Sequence, residues 1–145
     1  MTKKTNTPTN GSEFNWPVRI YYEDTDAAGV VYHSNYLKYM ERARTEWLRA
    51  TGHSHESLRE REGIIFVVTD MNISFIKPAC MDEQIEVQVS LIGAGGASLR
   101  FLQTIFNESE EMVCRAEVDV ACLDSGTMKP KRIPNPIKVK LTHVD

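Results

Sequence analysis

The spacing of apolar residues changes period twice along the chain, and each change marks an element. Val18-Arg19-Ile20-Tyr21-Tyr22 is a β-branched and aromatic run that predicts a strand. Glu23 to Gly29 breaks it with turn-forming acids, small residues and a glycine. From Asn35 to Thr51 the apolar positions Leu37, Met40, Ala43, Trp47 and Leu48 recur at helical spacing, with Ser34 or Asn35 placed to cap the start and Gly52 to end it. A shorter helix is expected over residues 54–62. After Gly63 the period falls to two: Ile64 to Ile76 is apolar and then alternating, and Ile85, Val87, Val89 and Leu91 alternate with Glu86, Gln88 and Ser90. Gly93-Ala94-Gly95-Gly96 supplies a reversal, and residues 97–107 resume an extended pattern. Residues 108–111 mark a turn. From Met112 the even positions Cys114, Ala116, Val118, Val120 and Cys122 are apolar while Arg115, Glu117 and Asp119 are charged, the signature of a half-buried antiparallel strand. Pro130, Pro134 and Pro136 oppose further sheet, leaving residues 137–145 as a short strand or helix.

One long helix with a wide apolar stripe and a meander of antiparallel strands with one dry face must cover each other, which gives an α+β sandwich. Residues 1–15 carry little to bury beyond Phe14 and read as a disordered tail; residues 16–145 form a single domain. Edge strands such as 97–107 or 112–123 would offer unpaired backbone groups.

Composition narrows the function. The 145 residues are 41% apolar and 26% charged, an ordinary globular balance, and 17 Lys plus Arg against 20 Asp plus Glu give a net charge of −3. That disfavours a nucleic-acid binder, which carries a basic stripe. Cys80, Cys114 and Cys122 are an odd set without C-x-x-C spacing, which fits small core residues in the reducing cytoplasm. No stretch is apolar enough for a signal peptide or a membrane span.

The stretch from Tyr22 to Tyr36 concentrates the chemistry. Between strand and helix it places Glu23, Asp24 and Asp26, then Gly29, then His33 at the helix start. A helix N-terminus offers unpaired N–H groups and partial positive charge to a carbonyl oxygen that is becoming negative. A carboxylate on the preceding loop can serve the same carbonyl carbon as base or nucleophile. Asp24 has a plainer reading as a turn-capping side chain, and Glu23 as a solvated one. Asp26, beside Ala27, Ala28 and Gly29, has room for a ligand. Metal readings fail on spacing: a calcium loop starting at Asp24 would put Ala28 and Asn35 at ligand positions, and His33, His53, His55 and His143 show no zinc spacing. His53 and His55, past the helix end, read as exposed. No G-x-S-x-G elbow or G-x-G-x-x-G phosphate loop occurs, and the glycines at 93–96 read as a hairpin turn.

Tyr22-Glu23-Asp24-Thr25-Asp26 with Gly29, Val30, Tyr32, His33, Asn35 and Tyr36, followed by Glu41-Arg42-Ala43-Arg44-Thr45-Glu46, resembles the motif of the hot-dog-fold acyl-CoA thioesterases of the 4-hydroxybenzoyl-CoA thioesterase class, in particular the YbgC type associated with the Tol-Pal cell-envelope system. The likeness runs from Trp16 to about Lys140. It implies a long central helix wrapped by a five-stranded antiparallel sheet, with the active site at the interface of a homodimer that pairs further into a homotetramer. By position it implies Asp26 as the catalytic general base or nucleophile, His33 as the residue whose backbone N–H faces the thioester carbonyl and whose side chain can assist, and Tyr22 as a residue near the substrate, although a core or interface tyrosine would also fit.

Because coenzyme A is anionic and the chain is net negative, its phosphates need a local basic patch; Lys129, Lys131 and Arg132 are the candidates, with Lys77 and Arg100 behind them. Arg42, Arg44 and Glu46 read as surface or interface ion-pair residues. The expectation is a cytoplasmic hydrolase of an acyl-CoA thioester with no metal or other cofactor, coenzyme A being part of the substrate. One rival is a non-hydrolytic module that binds acyl-CoA or acyl carrier protein in an envelope complex. Another is a hydratase, which would need a histidine base at the β carbon and is disfavoured by the Asp26 motif.

Overall fold

The computed structural model describes residues 13–142. Its elements in order are strand β1 (Glu13–Arg19), a 3₁₀ turn (Tyr22–Asp24), helices α1 (His33–Ala50) and α2 (His55–Glu62), strands β2 (Ile64–Phe75), β3 (Gln84–Ala94), β4 (Ser98–Phe106) and β5 (Met112–Asp124), and helix α3 (Asn135–Thr142). The five strands form one antiparallel sheet in the order β1-β3-β4-β5-β2. The period-two pattern sets which face is dry: Val87 and Val89 of β3 and Cys114, Ala116, Val118, Val120 and Cys122 of β5 all point into the core. Against them lies the apolar stripe of α1, Tyr36, Tyr39, Met40, Ala43, Trp47 and Leu48, with the Trp47 ring edge-on to Phe101 of β4 at 5.0 Å.

Several expectations are corrected. Strand β1 begins at Glu13, before the expected domain start at Trp16, because Phe14 and Trp16 pack on the core and stack at 6.4 Å; the rest of the proposed tail lies outside the described residues. The same strand ends at Arg19, so Tyr21 and Tyr22 leave the sheet as a turn. The residues capping α1 are not Ser34 or Asn35: Tyr32 is the N-cap and supplies no side-chain bond. Residues 97–107 and 112–123 are interior, since β4 and β5 each pair on both sides; the edges are β1 and β2. Cys80 is exposed, unlike Cys114 and Cys122. His53 is half-buried, its Nε2 without a partner among the described residues, whereas His55 is exposed. The C-terminal segment is a helix with Ile137 and Leu141 buried.

Strand β2 carries a bulge between Val68 and Asp70, and its outer edge is open among the described residues. Its far end, Phe75, reaches the start of α1, while its beginning, Ile64, pairs with Asp124 beside the C-terminal end of α2. Among the described residues, no helix is long and apolar enough to cross a membrane.

Candidate active site

The acidic loop folds back on itself before α1 begins. The Asp26 amide donates to the Val30 carbonyl and the Gly29 amide to the Asp26 carbonyl, both at 2.9 Å, closing a tight turn with Gly29 at φ +81°. A side chain at Gly29 would meet no neighbour within 4 Å, so the glycine is there for its backbone angle, not for space. Asp26 Oδ1 accepts from the Ala28 amide at 2.8 Å, an Asx turn that fixes the carboxylate and leaves Oδ2 without a partner among the described residues. Asp26 lies exposed on the surface of the single chain.

Asp24 does the capping work: Oδ2 accepts from the Tyr21 amide at 2.8 Å, and its carbonyl accepts from the Tyr32 amide at 3.0 Å and from Asn35 Nδ2 at 2.8 Å. Glu23 is exposed. Beneath the loop, Tyr39 is buried and its hydroxyl makes no hydrogen bond of good geometry among the described residues; burial, and after it the nearby Asp24 carboxylate, push its pKa well above the usual tyrosine range.

His33 is the first residue of α1, and neither its amide nor that of Ser34 has a backbone acceptor among the described residues. Two donors at the positive end of an 18-residue helix therefore face outward. The His33 ring packs on Tyr32 at 4.6 Å and edge-on to Phe75 at 6.0 Å, which joins the helix start to the end of β2. Tyr36 adds a contact to Phe75 at 5.8 Å, and its hydroxyl accepts from the buried Ala79 amide at 3.2 Å. The Ala79 carbonyl in turn receives the Val31 amide at 2.8 Å. Tyr22 stands 80% exposed on the same flank. Asp26, His33 and Tyr22 thus belong to one end of the molecule, around the start of α1.

The basic candidates do not. Pro130 bridges to Leu123, and Lys131 Nζ donates to the Glu62 carbonyl at 3.1 Å, so residues 129–132 lie at the Ile64 end of β2. Twelve residues of strand make that roughly 35 Å from the Phe75 end. Lys131 is already engaged, capping α2 and lying 3.8 Å from Asp124 Oδ2, whereas Lys129 and Arg132 are exposed. Lys77 pairs with Glu111 at 2.6 Å, holding that carboxyl below its usual range, and Arg100 pairs with Asp119 at 3.1 Å and Glu117 at 3.6 Å.

Arg44 is no surface ion-pair residue. Its guanidinium is largely desolvated and donates to Gln103 Oε1 at 2.8 Å; the fully buried Gln103 in turn donates to the Met40 carbonyl at 2.9 Å. Together with Thr45, whose hydroxyl donates to Glu41 Oε2 at 2.7 Å and lies 3.2 Å from His55 Nε2, it lines a cavity of about 170 Å³ between α1 and the sheet. Sequence reasoning missed this feature; the one signal was an arginine placed between the core positions Ala43 and Trp47. Elsewhere, Glu46 pairs with Arg49 at 2.6 Å. Among the described residues, no three His, Cys, Asp or Glu side chains converge as metal ligands; His143 lies outside them.

Residues 21–141 match the family model of the thioesterase-like superfamily. The chain is 44% identical over 128 residues to the acyl-CoA thioester hydrolase YbgC of Escherichia coli, spanning 88% of this chain and 95% of that one. It is 40% identical to the acyl-CoA thioesterase YbgC of Haemophilus influenzae, over 90% and 96% of the two chains. A crystal structure described as a probable thioesterase from Bartonella henselae superposes with a TM-score of 0.81 at 36% identity, covering 85% of this chain and all of that one. The chain, a hot-dog fold, belongs to the thioesterase-like superfamily and, at this identity and coverage, to its YbgC branch.

Proposed function

We propose that the protein hydrolyses an acyl-CoA thioester to the free acid and coenzyme A, with Asp26 acting at the thioester carbonyl. The observation that carries this is the pairing of a carboxylate fixed through one oxygen, Asp26, with the unpaired amides that open α1 at His33. In the base route, Asp26 Oδ2 takes a proton from water, the hydroxide attacks the carbonyl carbon, and the oxygen gathers negative charge against the helix start. The C–S bond then breaks and the proton held by Asp26 passes to the departing thiolate. In the nucleophilic route Asp26 itself attacks, coenzyme A leaves, and water hydrolyses the resulting anhydride. Tyr22, exposed on the same flank, orients the substrate, and no metal or other cofactor enters either route.

A homodimer is the minimal unit of this reading. Strand β2 is an open edge, and two copies related by a two-fold axis would pair it antiparallel, setting the Ile64 end of one strand against the Phe75 end of the other. Lys129 and Arg132 of one subunit then approach Asp26 and His33 of its partner, which answers the separation of about 35 Å within one chain. Pairing of dimers into a tetramer extends the same proposal. So does a cytoplasmic setting, in keeping with three free thiols, and with it association with a Tol-Pal-linked envelope partner or acyl carrier protein.

The test is thiol release from a panel of short, long and aromatic acyl-CoAs. Asp26→Asn is expected to lower kcat/KM by at least about a hundredfold, and His33→Ala by less, because the backbone donor survives. A folded wild-type protein that binds acyl-CoAs and releases no thiol from any of them would sink the reading in favour of a binding module. In single-turnover hydrolysis in ¹⁸O-water, label in Asp26 marks the nucleophilic route with water attacking the Asp26 carboxyl carbon of the anhydride, and trapping of the acyl group on Asp26 marks that route when water attacks the acyl carbon instead.

A further inference from the structure

We propose that the cavity walled by Arg44 receives the far end of the acyl group, and that this end carries a carboxylate. The inference rests on the hydrolase reading and on the two-fold pairing of β2, and it deepens both by naming a substrate class.

The cavity is a built site. Its walls are the apolar side chains Trp47, Leu48, Phe66, Leu99 and Phe101, and its volume of about 170 Å³ suits one ring or a chain of about six carbons. One wall is polar. Arg44 uses a single donor, on Gln103, and forms no ion pair among the described residues. Gln103 is fully buried and locked to the Met40 carbonyl, so the guanidinium is held in one orientation with its other donors unspent. Glu41, beside it, is held by the Thr45 hydroxyl and closes no ion pair with Arg44. A desolvated guanidinium with a free fork of donors favours a bidentate carboxylate over any neutral group. Burial disfavours the charged form of Arg44 and the nearby Glu41 carboxylate offsets this only in part, so a ligand carboxylate paired directly with the fork would relieve the cost that remains.

Position supplies the second argument. The cavity is bounded by Phe66 and Val68, in the first half of β2, and Val68 lies at the exposed edge. Antiparallel two-fold pairing sets that half-strand against the second half of the partner strand, which ends at Phe75 under the His33 ring. An acyl group whose thioester sits at Asp26 of one subunit would therefore point into the cavity of the other.

The experiment compares ω-carboxyacyl-CoAs, such as adipoyl- and suberoyl-CoA, with hexanoyl- and octanoyl-CoA of matched length. The wild-type protein should favour the carboxylated member of each pair by at least tenfold in kcat/KM. Arg44→Met should collapse that ratio toward one, and Arg44→Lys, which keeps the charge without the fork, should leave an intermediate ratio. Should Arg44→Met not fold, the lysine variant alone decides, and an undiminished ratio overturns the proposal. Calorimetric binding of the same four compounds to Asp26→Asn removes turnover from the question. Hydrolysis without preference sinks this inference alone, whereas selective binding without hydrolysis by the wild type sinks the catalytic reading and leaves the site standing.

Discussion

The Asn35 side chain donates to the Asp24 carbonyl at 2.8 Å, so the third residue of α1 holds the acidic loop against the helix start. Through this bond, and the one from the Tyr32 amide to the same carbonyl, the turn bearing Asp26 is fixed relative to the free amides of His33 and Ser34. Asn35→Leu should therefore lower kcat about tenfold with a smaller effect on KM, since a misplaced reacting group costs rate more than affinity. Asn35→Asp keeps an acid welcome in the first helical turn but sets a carboxylate against a carbonyl. It should lose activity to a similar degree while its thermal midpoint falls less than that of Asn35→Leu. Equal activity in both variants and the wild type would show that the clamp does not position the loop.

Tyr36→Phe probes the next layer. The Ala79 amide is buried and has the Tyr36 hydroxyl as its acceptor, so the variant strands a buried N–H at a cost of about 1–3 kcal/mol. Urea unfolding should show the midpoint falling with an unchanged slope, because the surface exposed on unfolding stays the same.

The fold was legible because its dry faces are written at two clean periods. The stripe from Met40 to Leu48 and the alternation from Cys114 to Cys122 each mark a core face, and those faces have one way to meet. Strand order was not legible, since hairpin-linked strands read as a simple meander and nothing local marks β2 leaving its chain neighbour β3 to pair with β5. The site divided along the same line. Asp26, Gly29 and His33 lie within eight residues of one another, so their proximity is a property of the chain. Arg44 and Gln103 are 59 positions apart, and only the packing of α1 on β4 brings them together. Lys131 misled for a related reason: its charge is visible in the sequence, but its bond to the Glu62 carbonyl is tertiary.

Alkaline pH should weaken the fold through buried thiols. Cys114 is fully buried, and burial pushes its thiol from 9.0 to about 11; Cys122 moves in the same direction for the same reason. In the unfolded chain the thiol loses its proton first, so between about pH 9 and 11 the unfolded state binds fewer protons and stability falls as pH rises. Two units correspond to up to about 2.7 kcal/mol for Cys114. Below pH 9 this contribution is fully present. Denaturant titrations at pH 8 and 11 should show the loss, and Cys114→Ala should show a smaller one. Identical losses in the two proteins would remove Cys114 as the cause.

Within the basic cluster the structure sets the bonded Lys131 apart from the exposed Lys129 and Arg132. Lys131→Ala should destabilise by about 0.5 kcal/mol, because its Nζ donates to the carbonyl of Glu62, the last residue of α2, and should change KM little. Lys129→Glu with Arg132→Glu, both exposed, should leave the melting temperature near that of the wild type and raise KM for acyl-CoA about tenfold, more at low salt. A KM unmoved at low ionic strength would show that these residues do not face the phosphates.

The composite site makes a sharper demand when two defective chains are mixed. One chain carries Asp26→Asn and keeps Lys129 and Arg132; the other carries Lys129→Glu with Arg132→Glu and keeps Asp26. If a site takes its carboxylate from one subunit and its phosphate contacts from the other, each mixed dimer contains one intact site and one doubly defective site. Random exchange makes half the dimers mixed, so co-refolded equimolar chains should reach about a quarter of wild-type kcat/KM, well above the mean of the separate proteins. If each chain instead builds its own complete site, mixing creates no intact site and the activity stays at that mean. Because the proposed dimer pairs through β2, Val68→Lys, which sets a charge into that edge, should abolish the rescue and shift the protein toward monomer on sedimentation.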